Sequence, residues 1–155
     1  MIKRLGLLSS LALVLPGCAI HQSVHPVDAT GETQVCIIDN AQVRPAFAQA
    51  YQGALVAKGY TVKHLPPTAA ITDCRVTSTY RASWRWDLAM YMTLAEIRVF
   101  VDGKEKGVAL YDSTRGGANM NKFIDAEKKV AELTNELFPG GAGAPAPGQV
   151  QVQAQ

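Results

Sequence analysis

The stretch from Thr79 to Tyr91, T-Y-R-A-S-W-R-W-D-L-A-M-Y, holds both tryptophans of the chain, with arginines and an aspartate set among them. Indole faces stack on sugars or on a partner's rings, and an adjacent guanidinium and carboxylate can fix orientation. Trp84, Arg85, Trp86 and Asp87 are therefore the first candidate binding set. Spacing offers a competing account. In a strand, Val76, Ser78, Tyr80, Ala82, Trp84 and Trp86 share one face, and Arg75, Thr77, Thr79, Arg81, Ser83 and Arg85 share the other. On that account both indoles pack beneath helices and are structural. A second polar, glycine-hinged stretch, Y-D-S-T-R-G-G-A-N-M-N-K, runs from Tyr111 to Lys122 into an amphipathic segment. Backbone amides at a helix start can hold an anion, with Arg115, Asn119 and Lys122 as the polar side chains nearby. The plainer account makes it a loop with Asn119 or Asn121 as the helix cap.

Neither stretch contains a histidine to act as base, and the chain has no G-x-S-x-G or H-E-x-x-H motif. Asp87 and Asp112 are carboxylates that could meet across strands, although charged residues at strand ends are usually solvated. No reaction is specified, and the expectation is a protein that is not an enzyme and uses no cofactor. The residues near Cys36 and Cys74 include no further cysteine or histidine at ligand spacing, so no metal site is expected.

The amino terminus carries a different chemistry. Lys3 and Arg4 precede an uncharged, leucine-rich run from Leu5 to Leu15, which is too short to span a bilayer and reads as a secretory signal over 1–17. Leu15-Pro16-Gly17-Cys18 resembles a lipobox, with Pro16 departing from the residue usual there. The resemblance implies cleavage before Cys18, a diacylglyceryl thioether on its sulfur, palmitate-type acylation of the new amino terminus, and sorting to the outer membrane because Ala19 follows. Ordinary cleavage after Ala19 is the alternative. Acyl chains contribute about 0.8 kcal/mol per buried methylene, so two or three make attachment close to permanent.

Cys36 and Cys74 remain. In an oxidising compartment they read as a disulfide closing a loop of about 39 residues, which stabilises the fold by roughly 4 kcal/mol, with two buried free thiols as the alternative. Removal of 1–17 leaves 138 residues with 13 basic and 13 acidic side chains. A neutral, interspersed surface offers no footprint for nucleic acid.

The elements that must position these residues follow from periodicity. Residues 18–33 are polar and aperiodic and read as a tether. Gln34–Asp39 is a short apolar strand. Pro45 opens a helix with Phe47, Tyr51 and Leu55 on one face and Gly59 as its stop, and Tyr60–Leu65 is the next strand. That order suggests a parallel crossover. Alternating strands follow over 74–86 and 89–101, then Asp102-Gly103 as a hairpin turn, a strand over 108–112, and a helix carrying Phe123, Ala126, Val130, Leu133 and Leu137. Residues 139–155 are Gly/Ala/Pro/Gln-rich and read as a disordered tail. The expected fold is α+β: a two-layer α/β sandwich over 34–138, order β-α-β-β-β-β-α, with a mixed sheet and both helices on one face.

The segments C-I-I-D-N at 36–40, K-G-Y at 58–60, S-T-Y-R-A-S-W-R-W-D-L-A at 78–89 and Y-D-S-T-R-G-G-A-N-M-N-K-F at 111–123 resemble a family of small, functionally uncharacterised bacterial outer-membrane lipoproteins. The resemblance spans about 35–138 and implies a lipid-anchored envelope protein at the periplasmic face, without an activity. The order of elements is also similar to a domain of lipoprotein activators of penicillin-binding proteins, whose tethers are long where this one is short. The expectation is a non-catalytic module with a membrane anchor and an envelope protein partner. Its rival is a small-ligand or glycan-binding lipoprotein using Trp84–Asp87 and Arg115–Lys122.

Overall fold

The computed structural model describes residues 19–143; the signal segment 1–17, Cys18 and residues 144–155 lie outside the described residues. Six strands and two helices follow one another as β1 (His21–His25), β2 (Gln34–Ile38), α1 (Pro45–Ala57), β3 (Thr61–Leu65), β4 (Val76–Asp87), β5 (Ala89–Val101), β6 (Lys104–Asp112) and α2 (Ala126–Leu137), with a short 3-10 turn over Met120–Lys122. The sheet order is β1-β6-β5-β4-β2-β3. β2 is parallel to both β3 and β4, and the other pairings are antiparallel. The expected mixed α+β sandwich is the observed architecture.

Both helices cover one face. Proline at the first turn fits α1 because the missing N–H would have no partner there, and Phe47, Tyr51 and Leu55 turn inward. Gly59, at φ 89°, ends the helix in a conformation that side chains disfavour. In α2 the buried stripe is Val130, Leu133, Thr134 and Leu137. These side chains meet Val35, Ile37, Val76, Tyr80, Ala95, Ile97, Val99, Ala109 and Tyr111 of the sheet. Asp102 and Gly103, both at positive φ, form the two-residue turn between β5 and β6 as expected.

The structure corrects four boundaries. The strand expected over 108–112 begins at Lys104, directly after the turn. The segment read as a tether supplies β1, which pairs with β6 from His21 opposite Asp112 to His25 opposite Val108. Val27 and Ala29 then enter the core, and the Val27 amide donates to the Leu137 carbonyl at 2.8 Å. Gly107 makes that approach possible, since a Cβ there would stand 2.8 Å from the Val27 Cβ. Five residues with no apolar period gave no strand signal, because an edge strand needs only backbone pairing. At the other end, residues 139–143 of the expected tail fold back, with the Ala142 amide donating to the Lys58 carbonyl and the Gly143 amide to the Glu32 carbonyl. Finally, α2 starts at Ala126 with Asp125 as its cap, accepting from the Lys128 amide. Asn119 instead caps the 3-10 turn, and Phe123 packs on Tyr91 outside the helix.

Candidate functional site

Cys36 and Cys74 form a disulfide, with Cα atoms 6.2 Å apart. This sets aside the free-thiol alternative. It joins β2 to the lead-in of β4 on the sheet face away from the helices, beside buried Thr77.

The two candidate segments meet. Lys122, whose side chain is 5% exposed, sends its ammonium to the Asp87 carboxylate at 2.5 Å and to the Gly117 carbonyl at 2.6 Å. Its Nζ also lies over the rings of Tyr91 and Phe123, 5.3 and 5.2 Å from their centroids. A buried cation with a carboxylate, a carbonyl and two aromatic faces has exchanged its hydration for fixed partners. Lys122 therefore clamps the 113–123 loop to the long β4–β5 hairpin. Arg115 is exposed in that loop.

The indoles part company. Trp84 is half-buried, edge-on to Phe47 with centroids 6.5 Å apart, and the Arg44 guanidinium lies 5.1 Å above it. Trp86 is 71% exposed, which overturns its assignment to the core. Alternation was read correctly, but helix coverage was not. Both helices start level with Trp84, where Arg44, Phe47 and Ala126 line a shallow cleft with Met92. The hairpin continues past them. A bulge between Ser83 and Trp84 makes Thr93 the extra residue of β5, and its hydroxyl bonds the Ser83 hydroxyl at 2.8 Å. Bulges bend and twist a ribbon, and beyond this one Trp86 pairs with Met90 in water. Arg85 and Asp87 are exposed as well.

The second surface is the helix-free sheet face. Its middle carries Leu94, Val108 and Leu110, all half-buried, beside a chain of ion pairs. Glu96, with a side chain 8% exposed, accepts from Arg81 Nη2 at 2.7 Å and Arg98 Nε at 2.7 Å, and Arg98 reaches Glu105 at 2.7 Å. The Arg81 hydrogen bonds, then those of Arg98, hold the Glu96 carboxyl down at about 2 against the pull of its burial. The Glu96 bonds push both guanidinium values up. Alternation places Arg81 on one face of its strand; cross-strand register is what sets it opposite Glu96.

Catalytic geometry is not assembled by the carboxylates singled out from the sequence. Asp87 is engaged by Lys122, and Asp112 accepts from the Thr114 amide and hydroxyl, bonds that lower its pKa. The Asp39–His64 pair, at 2.6 Å, has Gln52 on the second ring nitrogen at 3.1 Å, so both nitrogens are occupied.

No protein-family model matches the chain, and no curated protein matches its sequence. Its fold is similar to that of PelC from Paraburkholderia phytofirmans. A PelC dodecamer in space group C2 superposes with a TM-score of 0.50 at 12% identity, covering 80% of this chain and 98% of that one. A PelC dodecamer in space group P6 gives 0.52 at 12% identity, covering 77% and 98%. At that identity the likeness concerns the fold alone.

Proposed function

We propose that this chain is a non-catalytic interaction module of the bacterial cell envelope, held at the periplasmic face of the outer membrane by lipid on Cys18. Its open sheet face receives an envelope protein partner. The observation that carries this reading is the preorganised face itself. Six strands stay uncovered by helices over half-buried Leu94, Val108 and Leu110, while Glu96 is already desolvated between two guanidiniums. Such a face needs little further ordering to bind, which is where much of the free-energy cost of association lies. The chain Arg81–Glu96–Arg98–Glu105 along it alternates in sign. The dodecameric state of the PelC neighbours makes further copies of this chain the first partner to test. The signal-like start, the lipobox-like motif and the disulfide agree with an exported protein.

The ligand-binding alternative is less well supported. Asp87 and Lys122 are engaged with each other, and Trp84 already has Phe47 and Arg44 against it. The test is photocrosslinking in intact envelopes, with the reactive side chain at position 94 or 110 on the sheet face, or at Val56 on exposed helix surface. Adducts from the face and none from position 56 are expected. Adducts from position 56 alone, or from neither, refute the reading.

A further inference from the structure

We infer that the tip of the β4–β5 hairpin is a membrane-interface contact, with Trp86, Leu88 and Met90 entering the headgroup region of the bilayer. The choice of bilayer rests on the lipid-anchor reading proposed above. The apolar side chains themselves are a separate observation. Five large apolar side chains among the described residues are well exposed, and three of them fall within five consecutive positions: Trp86 at 71%, Leu88 at 80% and Met90 at 49%. Trp86 and Met90 face each other across the hairpin with Leu88 between them, so the patch is continuous. Clustered exposure of this kind marks a binding surface, whereas scattered residues do not.

Leu88 adds a second argument. It alone connects β4 to β5, at φ 61°, where glycine or asparagine would sit without strain. A leucine held there, with its side chain in water, benefits neither the turn nor the core. Strain at an exposed position points to a role outside folding.

Direction selects the partner. β1 begins at His21, opposite Asp112, which is itself opposite Leu94. From Leu94 the strand runs five more residues to Ala89, about 16 Å, away from the β5–β6 turn. Cys18 stands three residues before His21 and so reaches at most about 10 Å beyond it. The hairpin tip and the start of β1, three residues after Cys18, therefore lie at the same end of the sheet. The side chains also suit an interface. Indole favours the headgroup level, exposed Arg85 suits anionic lipid, and the carboxylate of Asp87 is engaged by Lys122. The Lys122 clamp gives the tip a rigid base.

The test uses the mature full-length protein in a Trp84→Phe background, which leaves Trp86 as the sole tryptophan. It is reconstituted into phosphatidylethanolamine–phosphatidylglycerol vesicles with or without bromine on the acyl chains. Trp86 emission should move to shorter wavelength, lose most of its intensity to brominated lipid and become inaccessible to iodide. Leu88→Gly should weaken the quenching while its melting temperature holds or rises, a combination a structural leucine would not give. Emission indifferent to brominated lipid overturns the inference, whether Trp86 is open to iodide or shielded by protein. Labelled palmitate, followed in the same preparation, separates the two claims. Palmitate present with Trp86 in water defeats the hairpin contact alone; palmitate absent with Trp86 quenched defeats the anchor alone; failure of both defeats both.

Discussion

Replacing Glu96 by Gln isolates the charge at the centre of the sheet face. The carboxylate accepts from Arg81 Nε at 2.9 Å and Nη2 at 2.7 Å, and from Arg98 Nε at 2.7 Å. A carboxyl held near 2 rather than 4.5 corresponds to at most about 3 kcal/mol of folding free energy. The guanidiniums are 61% and 43% exposed, so solvent screening reduces this to about 1–2 kcal/mol. Because the folded value is depressed, the contribution is complete above pH 4.5 and is lost as pH falls from there through about 2. Denaturant unfolding of wild type and Glu96→Gln, run in steps from pH 7 to pH 2, should show a gap of about 1–2 kcal/mol at pH 7 that closes in that window. Moderate salt should narrow the gap at pH 7. A gap that stays constant across the pH range would refute the electrostatic account and assign the effect to packing of the amide.

Three further perturbations follow from the same geometry. Trp84→Ala should cost about 1.5–3 kcal/mol and Trp86→Ala less than about 0.5 kcal/mol, read as melting-temperature shifts; equal losses would contradict their different burial. Asp87→Ala takes the carboxylate from a buried ammonium and should cost about 1–3 kcal/mol, whereas Lys122→Met keeps the buried stem and leaves half-exposed Asp87 to water, so it should cost less. Reduction of Cys36–Cys74, or the double serine variant, should lower stability by roughly 4 kcal/mol on the chain-entropy account, measured by denaturant unfolding with and without reductant.

The sequence was most legible where burial imposes a period. Phe47, Tyr51 and Leu55, and Val130, Leu133 and Leu137, each mark one helix face, and the structure buries all six. Asp102-Gly103 announced its turn because few residue pairs accept two positive φ values in succession. Legibility failed where pairing rather than burial decides. His21–His25 is bound to β6 by backbone groups, which no side-chain pattern reports. The bulge at Thr93 gave no warning, since one extra residue in a long alternating strand looks like continued alternation on either side of it. For the site, the two segments singled out do meet in the fold, but the bond that joins them, Lys122 to Asp87, spans 35 residues and was invisible. Trp86 was misplaced because periodicity tells which face a residue occupies, not how far along that face the helices extend.

That distinction bears on how the two surfaces would work together. On the proposed anchoring, a lipid on Cys18 would fix one point of the domain and leave it to pivot about that point. The hairpin tip extends the same end of the sheet along the strand direction. If both proposed contacts were made, the strands would stand across the membrane plane and the open face would turn sideways, toward any neighbouring copy. Association then becomes a search in two dimensions with orientation already set. Restricting that search raises effective concentration and lowers the rotational cost of docking without adding a single contact between proteins. On that proposal a face too weak to hold copies together in solution would suffice for assembly on the membrane, and the detached domain would be monomeric.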